Sequence, residues 1–148
     1  MDQTKRIAMW SGPRNLSTAM MYSFGGRKDC TVTDEPFYAS YLALTGVVHP
    51  MQTEILAAQS SNAAEVAQQI LAPIDTAVFY QKHMTQHMVD GVPRNWISEV
   101  TNVFLIRHPA RVVASYAKKR EGPTLDDIGF HQQAELFDYV CALGKKPV

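Results

Sequence analysis

The stretch R-I-A-M-W-S-G-P-R-N-L-S-T-A-M-M-Y-S-F, residues 6–24, restricts what this chain can fold into more than any other part of it. Residues 7–10 form a short apolar run that ends at Ser11-Gly12-Pro13, a sequence unable to continue a strand. From Leu16 onward the apolar residues Leu16, Ala19, Met20 and Phe24 fall at the spacing of one helical face. Asn15 is a suitable N-cap, so the stretch predicts strand, tight turn, helix. Such an arrangement points unpaired backbone N–H groups and the positive helix end at whatever sits in the turn. Arg14, Ser17 and Thr18 add a fork of donors and two hydroxyls at the same place. The stretch reads as a phosphate cradle.

The common nucleotide-binding loop needs G-x-x-x-x-G-K-[ST], and no Gly-Lys pair follows Gly12 at that spacing. Instead, Pro13-Arg14-Asn15-Leu16-Ser17-Thr18 resembles the 5′-phosphosulfate loop of the sulfotransferases, usually Pro-Lys-Ser-Gly-Thr-Thr. Arg14 stands where that family commonly has lysine, and Ser17-Thr18 stand where it has paired threonines. Read from the residues alone, the segment also suits an ordinary connection whose arginine is solvated.

With 148 residues, 46% of them hydrophobic and 19% charged, the chain has the material for one globular domain with a core. A formal net charge of zero gives no support to a nucleic-acid or membrane-surface role. The charge is unevenly placed, however. Arg107, Arg111, Lys118, Lys119 and Arg120 fall within residues 103–120 with no acid among them, which suits a local pocket for a small polyanion. Cys30 and Cys141 lie far apart without metal-ligand spacing and are expected as buried thiols in a reducing compartment. The N-terminus lacks a signal-like apolar segment, and no run approaches a membrane span. The expected location is cytoplasmic.

No internal repeat, low-complexity tract or long linker divides the chain. Residues 30–33 form a β-prone run punctuated by Asp34-Glu35-Pro36, and residues 37–44 carry apolar residues at helical spacing. Residues 51–72 predict one or two helices broken near Ser60-Ser61-Asn62, with Asn62 as N-cap and Glu65 three residues on. A third strand is expected at 77–80, just before Gln81-Lys82-His83, and Trp96 on a short helical turn. The fourth strand, 103–106, stops at Arg107-His108-Pro109. Pro109 then opens a helix to about Lys119, with Val112, Val113 and Tyr116 inward. A last helix is expected from Thr124, with Phe130, Ala134, Phe137 and Cys141 as its apolar stripe and Gly144 at C′. Short apolar strands alternating with helices predict an α/β fold, a three-layer parallel sheet with helices on both faces. Ligands of such sheets gather at the carboxyl ends of the strands, and Arg14, Glu35, Lys82 and Arg107 each follow a predicted strand.

The segment R-H-P-A-R-V-V-A-S-Y, residues 107–116, is the second motif. It resembles the 3′-phosphate motif of sulfotransferases, R-[DN]-P-x-x-x-x-x-S-Y, with His108 as the departure. A guanidinium at a strand end can fork onto a phosphate while a serine from the adjoining helix completes the shell. Two such motifs in order identify the chain as a suspected member of the sulfotransferase superfamily. Asp34-Glu35-Pro36-Phe37 and residues 124–130 (T-L-D-D-I-G-F) resemble a branch of small sulfotransferase-like proteins, some named after branched-chain aminotransferases. Lys82 has no recognisable aldimine context, so pyridoxal chemistry is set aside.

The resemblance implies a P-loop-like sulfotransferase fold and 3′-phosphoadenosine 5′-phosphosulfate (PAPS) as co-substrate, with no metal. Gly12, Pro13, Arg14, Asn15, Leu16, Ser17 and Thr18 would hold the 5′ end, and Arg107 with Ser115 the 3′-phosphate. Arg14 would also stabilise the leaving phosphate, and Lys82 would contact the transferring sulfuryl group. The acceptor must lose a proton; Glu35 is the first candidate base, His83 the second, and His87 a third if its loop folds back. The acceptor is an unknown small molecule with a hydroxyl or amine. The chain stops at Lys145-Lys146-Pro147-Val148, where the resemblance leads one to expect a further strand and a basic closing segment. The expectation is therefore a single domain lacking its C-terminal part, with a half-open nucleotide site and an exposed sheet edge through which copies self-associate. Two alternatives stay open: a catalytically inactive nucleotide-binding or interaction module, and an ATP-dependent phosphotransferase.

Overall fold

A computed structural model describes residues 4–119 and 121–148. Arg120, part of the basic cluster above, lies outside the described residues. The elements in order are β1 (Lys5–Ser11), α1 (Ser17–Gly25), β2 (Cys30–Asp34), α2 (Tyr38–Thr45), α3 (Gln52–Ala58), α4 (Ala63–Gln69), β3 (Val78–Met84), β4 (Thr101–Phe104), α5 (Pro109–Ala117), α6 (Leu125–Ile128) and α7 (Phe130–Ala142). Short 3₁₀ turns at Thr85–His87 and Asn95–Glu99 join β3 to β4. The four strands form one parallel sheet in the order β2-β3-β1-β4.

Side chains alternate across the strands and sort into two cores. Ile7 and Met9 of β1, Tyr80 of β3, and Val103 meet Met20, Met21 and Phe24 of α1 on one face. Ala8 and Trp10 point the other way, into a larger core with Val66 and Ala67 of α4, Leu136 and Val140 of α7, and Phe37, Trp96 and Ile97. The expected three-layer α/β arrangement is therefore the observed one. Val148 runs beside β4 in the parallel sense: its N–H donates to the Asn102 carbonyl at 3.0 Å, and the Phe104 N–H donates to its carbonyl at 2.8 Å.

Several boundaries differ from expectation, each for a physical reason. Strand β3 runs on to Met84, because Gln81, Lys82 and His83 all find partners on the sheet; the two latter residues lie inside the strand rather than after it. The helix expected from Thr124 is two helices. Thr124 and Asp127 form a capping box on α6, and Gly129, at φ 71°, ends that helix and starts α7. The buried side of α7 is Leu136 and Val140, so the expected stripe is turned outward, with Phe137 42% exposed and the Cys141 thiol exposed. Val113 of α5 is likewise exposed while Val112 is fully buried. Elsewhere the local chemistry holds. Asn62 accepts from the Ala64 and Glu65 N–H groups, and Gly144 and Lys145 close the α7 terminus onto the Cys141 and Val140 carbonyls in a Schellman pattern.

Candidate functional site

All four strands present their carboxyl ends at one edge of the sheet, and the strand order sets out the site as a row. Glu35 follows β2, Lys82 lies on β3, the 12–16 loop follows β1, and Arg107 follows β4. Neighbouring strands lie about 4.8 Å apart, so Glu35 and the loop are two spacings, about 10 Å, from each other.

The loop is irregular backbone. Arg14 and Leu16 have φ of 62° and 61°, a left-handed conformation costing a non-glycine residue about 1–2 kcal/mol. Leu16, rather than Asn15, is the N-cap of α1 and supplies no side-chain cap. The buried Asn15 amide instead donates to the Gly12 and Pro13 carbonyls, at 3.0 and 3.2 Å, and folds the loop onto itself. The first N–H groups of α1, those of Ser17, Thr18 and Ala19, thus face the loop mouth with no intrahelical carbonyl to bond. Gly12 plays a different part. Its N–H donates to Gln133 Oε1 at 3.1 Å, and a Cβ there would lie 2.3 Å from the Ile128 carbonyl oxygen. Gly12 is the point at which the loop touches the α6–α7 corner, and its N–H is already engaged.

The two motifs close on each other. Arg14 Nε donates to Ser115 Oγ at 2.8 Å, and Arg107 Nη1 donates to the Arg14 carbonyl at 2.9 Å. A cleft of about 240 Å³ is lined by both arginines together with Leu16, Ser17, Thr18 and Ala19. That space suits the charged end of a ligand rather than a whole nucleotide. His108, the departure from the second motif, does the work of an Asp or Asn: its Nδ1 accepts from the Ala110 N–H at 3.3 Å and caps α5.

Lys82 points to the same sheet face as α1, and only 4% of it is exposed. Its Nζ donates to Glu35 Oε1 at 2.7 Å and Asp34 Oδ1 at 2.8 Å. Burial opposes the charge, but the two carboxylates outweigh it and leave the lysine pKa raised. Glu35 sits at φ 47°, and its turn is fixed by Gln59, whose Nε2 donates to the Asp34 and Glu35 carbonyls.

The histidines stand elsewhere. His83 is 2% exposed, stacked on Trp10 at 4.8 Å and tilted against Trp96 at 4.9 Å, with Nε2 on Gln81 Oε1. Burial lowers its pKa to about 3. His87 stacks on both Tyr38 and Tyr41, at 4.6 and 4.8 Å, and burial, aided by the charges of His49, His83 and Lys82, also lowers its pKa to about 3. Both rings are packed as core aromatics, each no more than 3% exposed. Arg94 and Trp96 also belong to the packing: Arg94 pairs with Glu135 at 2.8 Å and lies over Tyr139, and Trp96 is 1% exposed.

Three residues absent from the expected site belong to its frame: Asp34, Gln59 and Gln133. Gln133 Nε2 also donates to the Leu105 carbonyl at 3.0 Å, so one side chain ties the loops after β1 and β4 together. Asp34 was signalled by its place in the Asp-Glu-Pro run ending a β-prone segment. The two glutamines had no local signal, since each acts across a long sequence separation.

A family profile described as "Sulfotransferase domain" matches residues 5–145, which includes both motifs and all four strands. The chain belongs to the sulfotransferase domain family. Two Arabidopsis thaliana proteins, named branched-chain-amino-acid aminotransferase-like proteins 1 and 2, are each 32% identical to it, over 148 and 142 residues. Those matches cover 99% and 95% of this chain but 26% and 25% of the relatives. The chain therefore spans about a quarter of their length. Against the sulfotransferase loop pattern, Leu16 occupies the usual glycine position, and its positive φ shows why glycine is favoured there.

Proposed function

We propose that this sulfotransferase-family chain transfers a sulfuryl group from PAPS to a hydroxyl or amine of a small acceptor. The observation that carries the reading is the direct contact between Arg14, Arg107 and Ser115 beside the start of α1, which has no side-chain cap. Two guanidinium groups and a row of helix N–H groups facing one small cleft fit a phosphorylated anion. PAPS supplies an activated sulfur whose bond to the bridging 5′-phosphate oxygen breaks as the acceptor oxygen or nitrogen bonds to sulfur. Arg14, Ser17 and Thr18 hold the 5′-phosphate and receive the charge that develops on it; Arg107 and Ser115 hold the 3′-phosphate. Lys82, fixed by Asp34 and Glu35, lies on the strand between the cradle and Glu35, where it orients the sulfuryl oxygens. Glu35 takes the acceptor proton. The buried histidines take no part. This placement follows the demands of in-line group transfer, alignment and charge stabilisation.

A second reading, nucleotide binding without catalysis, is favoured by the engagement of Glu35 with Lys82 at 2.7 Å, which leaves one carboxylate oxygen less free to act as a base. Calorimetric titration with 3′-phosphoadenosine 5′-phosphate, with ATP as control, tests the nucleotide site common to both. The expected outcome is selective binding, weakened about 10–100-fold in Arg107→Ala, as for loss of charged hydrogen bonds. Equal binding of ATP, or indifference to Arg107→Ala, would overturn the assignment. If the nucleotide binds, sulfuryl transfer that Glu35→Gln abolishes selects the enzyme over the inactive module.

A further inference from the structure

Strands β1 and β4 part at their carboxyl ends, and the split has a built cause. They pair in register up to Trp10 and Phe104, and the Leu105 N–H still donates to the Trp10 carbonyl at 2.8 Å. The next rung of a parallel ladder would run from the Gly12 N–H to the Leu105 carbonyl. A side chain stands there instead. Gln133 Oε1 accepts from the Gly12 N–H at 3.1 Å, and Gln133 Nε2 donates to the Leu105 carbonyl at 3.0 Å. A carboxamide has the donor and acceptor of a peptide group, so both backbone groups stay satisfied while the strands stand apart. A direct rung would bring the same nitrogen and oxygen to about 2.9 Å.

The inserted amide is anchored from a third strand. Gln133 lies one turn into α7, where its N–H donates to the Gly129 carbonyl at 2.9 Å. Thr85, just after β3, donates its hydroxyl to that same carbonyl at 3.1 Å. Gly129 also packs closely on its neighbours: a Cβ there would lie 3.4 Å from Gly12 Cα and 2.8 Å from Thr85 Oγ1. The helix that carries Gln133 is thus held in place at its start. On either side of the amide the chain leads directly to the two anion grips, through Pro13 to Arg14 and through Ile106 to Arg107.

We propose that Gln133 is a positioning residue: its amide, inserted between β1 and β4, sets the spacing of the Arg14 and Arg107 grips and so selects a nucleotide with two separate phosphate groups over one with a single phosphate. This inference rests on the nucleotide site proposed above. A ligand gripped at both ends gains over either end alone only when both can be engaged together. Without the amide, the Gly12 donor and the Leu105 acceptor face each other unpaired, and closing the rung is the nearest way to satisfy them. Closure draws the loop after β1 toward β4 and spoils the spacing, while each grip keeps its own side chains.

The test compares wild type with Gln133→Met, which keeps the length and removes the amide, and Gln133→Asn, which keeps the amide and shortens its reach by a methylene. Calorimetry with 3′-phosphoadenosine 5′-phosphate, adenosine 5′-phosphate and adenosine 3′-phosphate reads the grips. NMR scalar coupling across a hydrogen bond, from the Gly12 nitrogen to the Leu105 carbonyl carbon, reads the rung without any ligand. In wild type the bisphosphate is expected to bind ahead of both monophosphates, with no coupling. Either substitution should weaken the bisphosphate about tenfold or more and each monophosphate by less than about twofold, and Gln133→Met should produce the coupling. Merely structural damage would weaken all three nucleotides alike. That result, a coupling already present in wild type, or a bisphosphate preference that survives both substitutions would each overturn the proposal. A coupling that appears in Gln133→Met while wild type binds none of the nucleotides would leave the spacing role standing and remove the nucleotide reading.

Discussion

At position 16 the chain holds a leucine where the backbone asks for glycine. Leu16 is 67% exposed at φ 61°, so its side chain gains little from burial while its backbone bears left-handed strain. Substituting glycine for a helical leucine ordinarily destabilises. Here Leu16→Gly removes about 1–2 kcal/mol of strain and adds roughly 0.5–1 kcal/mol of unfolded-state freedom. The expected result in urea unfolding is stability unchanged or raised by up to about 1.5 kcal/mol; a loss of about 1 kcal/mol or more would show that the leucine side chain holds the loop. Asn15 carries the related lesson about reading sequence. Its type fits an N-cap and its position is one residue from the true cap, but two nearby loop carbonyls compete for the amide and win. Cap chemistry is legible in a sequence when the flanking backbone is ordinary, as at Asn62 and Thr124, and ceases to be when the loop is folded on itself.

At the scale of elements, the cradle helix, the parallel strands and the placement of Arg107 and Ser115 were legible, because short apolar runs, turn residues and a helix-spaced serine are local signals. The length of β3 was not. Gln81, Lys82 and His83 read as a polar exit from the strand, yet each finds a buried partner supplied by another element: the Ile70 carbonyl, the Asp34–Glu35 pair, and the Trp10–Trp96 stack. The outward turn of α7 has the same origin, since two apolar stripes coexist on that helix and only packing selects Leu136 and Val140. Lys82 joins the end of β2 to β3, so its loss should loosen the element pair as well as the site. Lys82→Met leaves Asp34 and Glu35 facing each other without their cation. Breaking a fully buried pair costs about 3–5 kcal/mol; with Asp34 half exposed to water, about 2–3 kcal/mol is expected. Thermal unfolding reads that loss, and Lys82→Arg, which keeps the charge, should recover part of it.

Across the whole molecule, two neutral histidines packed on one side of the sheet make stability depend on pH. His83 and His87 both have folded pKa values near 3, against 6.5 for a free imidazole. Between those values the unfolded chain binds protons that the folded chain does not, so stability falls as pH drops. The contribution is complete above about pH 6.5 and is lost progressively down toward pH 3. Two such groups give a limiting slope of roughly 2–3 kcal/mol per pH unit, enough to unfold a domain of ordinary stability before pH 4. Urea midpoints taken at half-unit steps from pH 7.5 to 4.5 should be flat at the top and then fall steeply. His83→Phe preserves an aromatic against Trp10 and Trp96 and removes one titrating ring, so it should halve the slope. The Gln81 oxygen then loses its partner, which lowers stability at every pH without changing the slope. A wild-type profile that stays flat through pH 5 would mean that water or a hydrogen-bond acceptor reaches the rings, and with it that an acceptor has a route to His83 or His87 as a base.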